Sequence, residues 1–321
     1  MSVTKADRTV ALDAYGPGSD ATASLDDARL WCERLTRAHG ENFTVLSSLV
    51  PSDRRRAFAA VYAYCRCADD LGDEAGSSER ASALLVWWRR ELGRCFEGEA
   101  SHPVFVALRP EIDRWRLPIA PFADLISAFE MDQSVRRYSS WDELLGYCRL
   151  SADPVGRLVL GVLEGDCTPD ALAASDEICT ALQLTNHWQD VRRDFLERDR
   201  IYLPSDAWQG ERFEERLAST CRVGHAPDRE FLEEYRRTVR SLVERTWPLY
   251  ERGTRLLEQV HPDHRGVIWL FLQGGARTLR EIELWNYETC VSRPRLSMLA
   301  RLSLLLRART GIGMSAGVPR W

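Results

Sequence analysis

The stretch ADDLGDEAG, residues 68–76, sets Asp69, Asp70, Asp73 and Glu74 directly behind the apolar-rich run AFAAVYAYCRC. If that run is helical, Asp69 and Asp73 lie four apart and share a face. Like charges at that spacing cost about a few tenths of a kcal/mol in an isolated helix. A hard divalent cation reverses the sign, because Mg²⁺ takes oxygen ligands, often one or two carboxylates together with substrate phosphates. Gly72 and Gly76 would let the helix loosen there. The competing reading is a solvated acidic helix terminus.

The stretch LQLTNHWQDVRRDFLERDRIYLP, residues 182–204, repeats the design. Asn186, Asp190 and Asp194 recur every four residues, so one helix face would present an amide and two carboxylates. Gln183 sits one turn earlier on nearly the same face. Two such rows on separate helices, facing each other, could hold several Mg²⁺ ions around a diphosphate. Arg66, one turn before Asp69, and Arg200 and Tyr202, after the second row, could take the remaining phosphate charge. Arginine suits this because its planar fork bonds two oxygens at once. The alternative for Arg66 is an ion pair with Asp69 or Asp70.

The elements that must carry these rows are helical almost throughout. SLDDARLWCERLTRAHG opens on a candidate cap, Ser24, with an acid three residues on, and stops at Gly40. PSDRRRAFAAVYAYCRCADD begins at Pro51 with Ser52 as a candidate cap. Further helical periodicity runs through ERASALLVWWRREL, APFADLISAFEMDQSVRR, SWDELLGYCRL, PVGRLVLGVLEG and DEICTALQLTNHWQDVRRDFLER. It continues through DREFLEEYRRTVRSLVERTWPLYERGTRLLEQV and residues 265–286. Strand-like alternation is hard to find. The expectation is an all-α protein: a loose N-terminal arm over 1–23, one helical domain over 24–310, and a tail over 311–321.

The 321 residues are 45% apolar and 28% charged, enough for a large core. A net charge of −5 gives no electrostatic case for nucleic acid. Nine scattered cysteines look like buried thiols in a reducing compartment rather than a disulfide framework. GVIWLFLQGGA, residues 266–276, is too short to span a bilayer and no secretory signal is visible, so cytoplasm is the default. The C-terminal run RPRLSMLARLSLLLRARTG mixes leucines with five arginines. It could lie on a membrane surface, at the inner face; a last core helix with an exposed basic edge is the preferred reading.

With these motifs in place, the chain resembles the squalene/phytoene synthases, all-α enzymes of the isoprenoid synthase fold with a central helix-lined cavity. YAYCRCADDLGD and LQLTNHWQDVRRDFLERDRIYLP carry the likeness, which runs from about residue 38 to 307. AHGENF, CADDLGDE, YCRLSADPVGRLVLG and NHWQDV are similar to the hydroxysqualene-forming branch of hopanoid biosynthesis. The resemblance implies that Asp69, Asp73, Asp190 and Asp194, supported by Asn186, bind Mg²⁺ and through it a diphosphate. It implies that Arg66, Arg200, Tyr202 and Arg293 contact diphosphate, and that Phe43, Tyr62, Tyr147, Val155, Gly156 and Gln183 line a tunnel, with Tyr147 also counted as catalytic. Departures from the commoner pattern are Gln189 and Arg193 in the second motif, an Arg200 one residue further from Asp194, a missing aromatic near Gly275, and Ser151 and Asp153 where relatives carry Val and Gly.

The implied reaction is Mg²⁺-dependent ionisation of presqualene diphosphate, rearrangement in an apolar tunnel, and water capture to hydroxysqualene plus diphosphate. Ser151, Asp153 or His187 could orient that water; a helix cap before Pro154 is the plainer role for the first two. The expected partners are presqualene diphosphate or a related prenyl diphosphate, with a membrane surface and other hopanoid-pathway enzymes as further candidates. One alternative is a head-to-head synthase making presqualene diphosphate, squalene or phytoene from two prenyl diphosphates. The other is a non-catalytic lipid-binding assembly factor, which would be expected to have lost acids from one motif.

Overall fold

A computed structural model describes residues 4–39, 49–226, 228–314 and 317. In chain order the helices are Lys5–Thr9 (α1), Leu12–Tyr15 (α2), Leu25–His39 (α3), Arg55–Asp73 (α4), Ser78–Glu97 (α5), Pro103–Trp115 (α6), Ile119–Met131 (α7) and Trp141–Ser151 (α8). There follow Asp153–Glu164 (α9), Pro169–Gln189 (α10), Val191–Arg198 (α11), Phe213–Val223 (α12), Arg229–Gly253 (α13), Leu256–Gln259 (α14), Arg265–Leu284 (α15) and Met298–Thr310 (α16). Among the described residues the only β-like feature is an isolated parallel bridge between Arg137 and Ile201. The all-α expectation holds. The contacts cluster into two compact units, residues 1–134 with 154–168, and residues 135–153 with 169–321.

In the first unit α4 is the hub, packing against α1, α3, α5, α6 and α7. Its buried face includes Phe58, Val61, Tyr64, Cys67, Ala68 and Leu71, the periodic apolar stripe of the sequence. Tyr64 is fully buried, and its hydroxyl donates to the Phe122 carbonyl at 2.8 Å, as a buried phenol requires. Ser24 caps α3 by accepting from the Asp27 N–H, and Ser77 caps α5 by accepting from Arg80. Helix α4 begins at Arg55 rather than Pro51, because residues 51–54 close a turn from the Arg54 N–H to the Pro51 carbonyl. Likewise α7 ends at Met131, short of the QSVRR expected to extend it.

The N-terminal stretch differs from the loose arm the sequence suggested. Thr4 and Asp7 form a reciprocal capping box, and Ala6 and Val10, four apart, are wholly buried. The two small side chains on one face, with flanking charges that find partners, are enough to dock α1 on α4.

In the second unit α10 is central and packs against α8, α13, α14 and α15. A Cβ built on Gly275 would fall 2.2 Å from the Tyr250 hydroxyl, so only glycine lets α15 approach there. The long helix expected through residues 176–198 is divided at Asp190, whose backbone (φ −104°, ψ 12°) leaves the helical region. Further on, the chain after α13 restarts as the short α14 instead of continuing. All nine cysteines are unbridged, six of them buried. Among the described residues no helix is long and apolar enough to cross a membrane.

Candidate diphosphate site

The first acidic row ends α4. The helix buries Asp70 completely and leaves Asp69 and Asp73 half-buried on its margin. Arg66 reaches both neighbours: its Nη1 lies 3.1 Å from Asp69 Oδ2, its Nε donates to Asp70 Oδ2 at 3.1 Å, and its Nη2 pairs with Asp70 Oδ1. Lys5 on α1 adds a second cation to Asp70 at 3.2 Å and touches Glu74 at 3.3 Å. The ion-pair alternative for Arg66 is therefore the arrangement the structure shows. Gly72 lies beneath the row; a Cβ there would sit 3.3 Å from the Phe129 Cβ, and its carbonyl accepts from Gln133 Nε2 at 3.0 Å.

The second row spans the break between α10 and α11. Despite the break, the Asp190 N–H donates to the Asn186 carbonyl and the Asp194 N–H to the Asp190 carbonyl, both at 2.9 Å. The four-residue stagger of Asn186, Asp190 and Asp194 thus survives the bend. Asn186 is exposed, whereas Asp190 and Asp194 are buried. Arg193 lies 2.7 Å from Asp190 Oδ2 and 3.2 Å from Asp194 Oδ1. Arg293 pairs with Asp190 through Nε and, at 3.1 Å, through Nη2. Burial pushes the Asp194 carboxyl up to about 6; Arg193 opposes the shift and Asp190 adds to it.

Gln189 and Arg193, two departures from the commoner family pattern, have structural work here. Gln189 Nε2 donates to the Pro294 carbonyl, and its Oε1 accepts from Arg293 at 3.3 Å, tying the segment before α16 to the helix break.

Beside this row stands a wall of rings. Tyr202 stacks on His187 with centroids 3.8 Å apart at 17°, and Tyr147 lies 5.7 Å from Tyr202 and 6.1 Å from His187. Tyr138 stacks on Tyr202 at 5.7 Å. The loop carrying Arg200 and Tyr202 is held by Asp199, in the left-handed region at φ 51°, which pairs with Arg136 and Arg137. His187 is buried and its Nε2 has no hydrogen-bond partner. Burial, then the charges of Arg193 and Arg200, hold its pKa down to about 3, so the ring is neutral. The buried Ser151 hydroxyl likewise has no partner. Asp153 accepts from the Thr180 hydroxyl at 2.8 Å.

The sequence-expected residues sort by unit. Arg66, Asp69, Asp73, Tyr62, Val155 and Gly156 belong to the first; Tyr147, Ser151, Asp153, Gln183, Asn186, His187, Asp190, Asp194, Arg200, Tyr202 and Arg293 to the second. Phe43 lies outside the described residues. Tyr62 and Gln183 are half-buried, Val155 is exposed at the surface and Gly156 is buried. Tyr202 and Arg200, expected at a diphosphate, are both largely buried. Sequence reasoning overlooked Lys5 and Tyr138, for which it had no signal, and named Asp70 only as an alternative ion-pair partner of Arg66, the pairing that the structure shows.

Among the described residues no three acid, histidine or cysteine side chains are gathered as a metal cage. The donors present are hard oxygens, two carboxylates in each row, and a cation completed by substrate phosphates needs no more than one or two from the protein. Asp194, whose burial cost Arg193 offsets only in part, is a carboxylate that a further cation would stabilise. The residues fit Mg²⁺ on chemistry.

The sequence model of the squalene/phytoene synthase family matches residues 36–301, and the chain belongs to that family. It is 30% identical to a phytoene synthase of Arthrospira platensis over 303 residues, 89% of this chain and 95% of that one. It is 40% identical to a hydroxysqualene synthase of Sinorhizobium fredii over 169 residues, 52% of this chain and 56% of that one. The crystal structure of squalene synthase HpnC from Alicyclobacillus acidocaldarius superposes with a TM-score of 0.72 at 40% identity, covering 82% of this chain and 95% of that chain. The fold is that of the isoprenoid synthases, and the family acts on prenyl diphosphates.

Proposed function

We propose that the protein is a hydroxysqualene synthase: presqualene diphosphate and water give hydroxysqualene and diphosphate. The observation that carries the reading lies in the second unit, where a carboxylate row adjoins an aromatic wall holding an unpartnered neutral His187 nitrogen. The carboxylates suit a metal–diphosphate, the ring faces suit a carbocation, and the nitrogen suits a water. Asp69 and Asp73 in the first unit, and Asn186, Asp190 and Asp194 in the second, would each suit Mg²⁺, which would neutralise charge on the departing diphosphate. Arg193 and Arg293, both paired with Asp190, would exchange carboxylate for phosphate oxygens. The C–O bond breaks, the pair leaves with diphosphate, and the cation rearranges against Tyr147, Tyr202 and His187, which exclude bulk water. One water then forms the new C–O bond and its proton leaves with solvent or product diphosphate.

The match to a phytoene synthase over most of the chain supports the second reading, head-to-head condensation of two prenyl diphosphates. The four aspartates in place weigh against a non-catalytic factor. Product analysis by mass spectrometry separates the readings. Presqualene diphosphate with Mg²⁺ should yield hydroxysqualene, chelator should stop it, and farnesyl or geranylgeranyl diphosphate alone should remain unused. Consumption of either of the last two overturns the proposal in favour of condensation.

A further inference from the structure

Helix α16 carries its apolar residues on the wrong side for a packed helix. It rests on α15 through Leu304 and Ala308, close enough that a Cβ on Gly266 would meet the Ala308 carbonyl at 2.6 Å. Arg307 lies over the Trp269 ring at 5.2 Å on the same side. The opposite face presents Leu299, Leu302 and Leu306 at spacings of three and four, 79%, 53% and 56% exposed, with Met298 beside them at 84%. A surface helix normally turns such a stripe inward and its charges outward.

The charge around that stripe is one-sided. From Thr289 to Trp321 there is no acidic residue and there are six arginines, in a chain whose net charge is −5. Arg295, Arg301 and Arg309 are exposed. Two copies of this face brought together would oppose arginine to arginine, whereas an anionic lipid surface offers both a place for the leucines and counter-charge for the guanidinium groups.

We propose that α16 is an interfacial helix that lays Leu299, Leu302 and Leu306 into the surface of an anionic bilayer, with Arg295, Arg301 and Arg309 among the head groups. The sequence favoured a last core helix; one edge of α16 fits that description, and the outward stripe does not. The Gln189–Pro294 and Arg293–Asp190 contacts fasten the lead into this helix to the second acidic row, so docking would set that row near the surface from which an apolar product leaves. The inference does not depend on which prenyl diphosphate is consumed.

The test is flotation of the full-length protein, without substrate, on phosphatidylglycerol–phosphatidylcholine vesicles and on phosphatidylcholine alone. The wild type should float with the anionic vesicles at low salt and bind roughly tenfold less to the neutral ones. The variant Leu299→Gln/Leu302→Gln/Leu306→Gln should lose roughly tenfold again. Because the substituted side chains are exposed, its melting temperature should not move. Should that variant fold poorly, Arg295→Gln/Arg301→Gln/Arg309→Gln decides instead, by erasing the preference for anionic lipid. Absence of flotation, or flotation indifferent to both variants, overturns the proposal. So does a concentration-dependent dimer in sedimentation that the leucine variant abolishes, which would give the face to a second copy.

Discussion

Asp194 and His187 are buried next to the same arginine and answer to pH in opposite senses. The folded Asp194 carboxyl titrates near 6 against 3.8 for the ordinary side chain, so it holds its proton longer when folded. Its burial cost is absent below about pH 4 and fully present above about pH 6. Asp194→Asn should therefore stabilise the ligand-free protein at pH 7.5 by about 1–3 kcal/mol, a gain that vanishes near pH 4. If Asp194 holds Mg²⁺ as proposed, the same change should lower turnover by about 100-fold or more, because one ligand to the leaving group's counter-charge is removed. Urea midpoints at the two pH values and a turnover assay check both halves; a destabilised variant at pH 7.5 would count against the account. His187→Phe keeps the stack on Tyr202 and removes the orphaned nitrogen, so stability should hold or rise by about 1 kcal/mol. If His187 orients the capturing water, the hydroxysqualene share of the product falls; an unchanged product ratio removes that role.

At the scale of elements, α1 is a small helix with a specific task. It buries Ala6 and Val10 and sets Lys5 against Asp70 beneath the first acidic row. Asp7 pairs with Arg80, and the bond to that guanidinium holds its pKa down to about 2. Deleting residues 2–10 removes this apolar burial and strips Lys5 from the buried Asp70, leaving it paired with Arg66. The expected loss is about 2 kcal/mol, read as a fall of about 5 °C in Tm by circular dichroism. An unchanged Tm would show the docking to be passive. The break at Asp190 is the other decisive element, since it bends the second row without interrupting the bonds that keep its stagger.

For the whole molecule the acid limb of stability follows from two neutral histidines. Burial holds His102 down to about 4 and His187 down to about 3, against 6.5 for a free imidazole. His102 is fixed by two bonds, Nδ1 accepting from the Val104 N–H at 3.2 Å and Nε2 donating to the Val10 carbonyl at 2.7 Å. Folded values below the unfolded one mean stability that is complete above pH 6.5 and lost as pH falls toward 3–4. Each group contributes a slope of about 1.4 kcal/mol per pH unit, and between pH 4 and 6 Asp194 cancels one of the two. Between pH 6 and 4, denaturant midpoints should fall with a net slope near one proton in the wild type and near two in Asp194→Asn. A flat profile would contradict the burial of both rings.

The sequence by itself determined the helical character, the two four-residue carboxylate rows and the family, because periodicity and spacing are local properties that survive any packing. Ser24 caps its helix as the local pattern says, whereas Ser52, the other candidate, does not, because that helix starts only at Arg55. Tertiary structure alone decided the rest. Lys5 reaches Asp70 across 65 residues of chain, Arg293 reaches Asp190 across 103, and Tyr138 joins Tyr202 across 64, pairings that no local pattern encodes. Which side of α16 meets α15 was equally beyond a helical wheel, since leucines occur on both sides and only the close approach of Gly266 to Ala308 selects one.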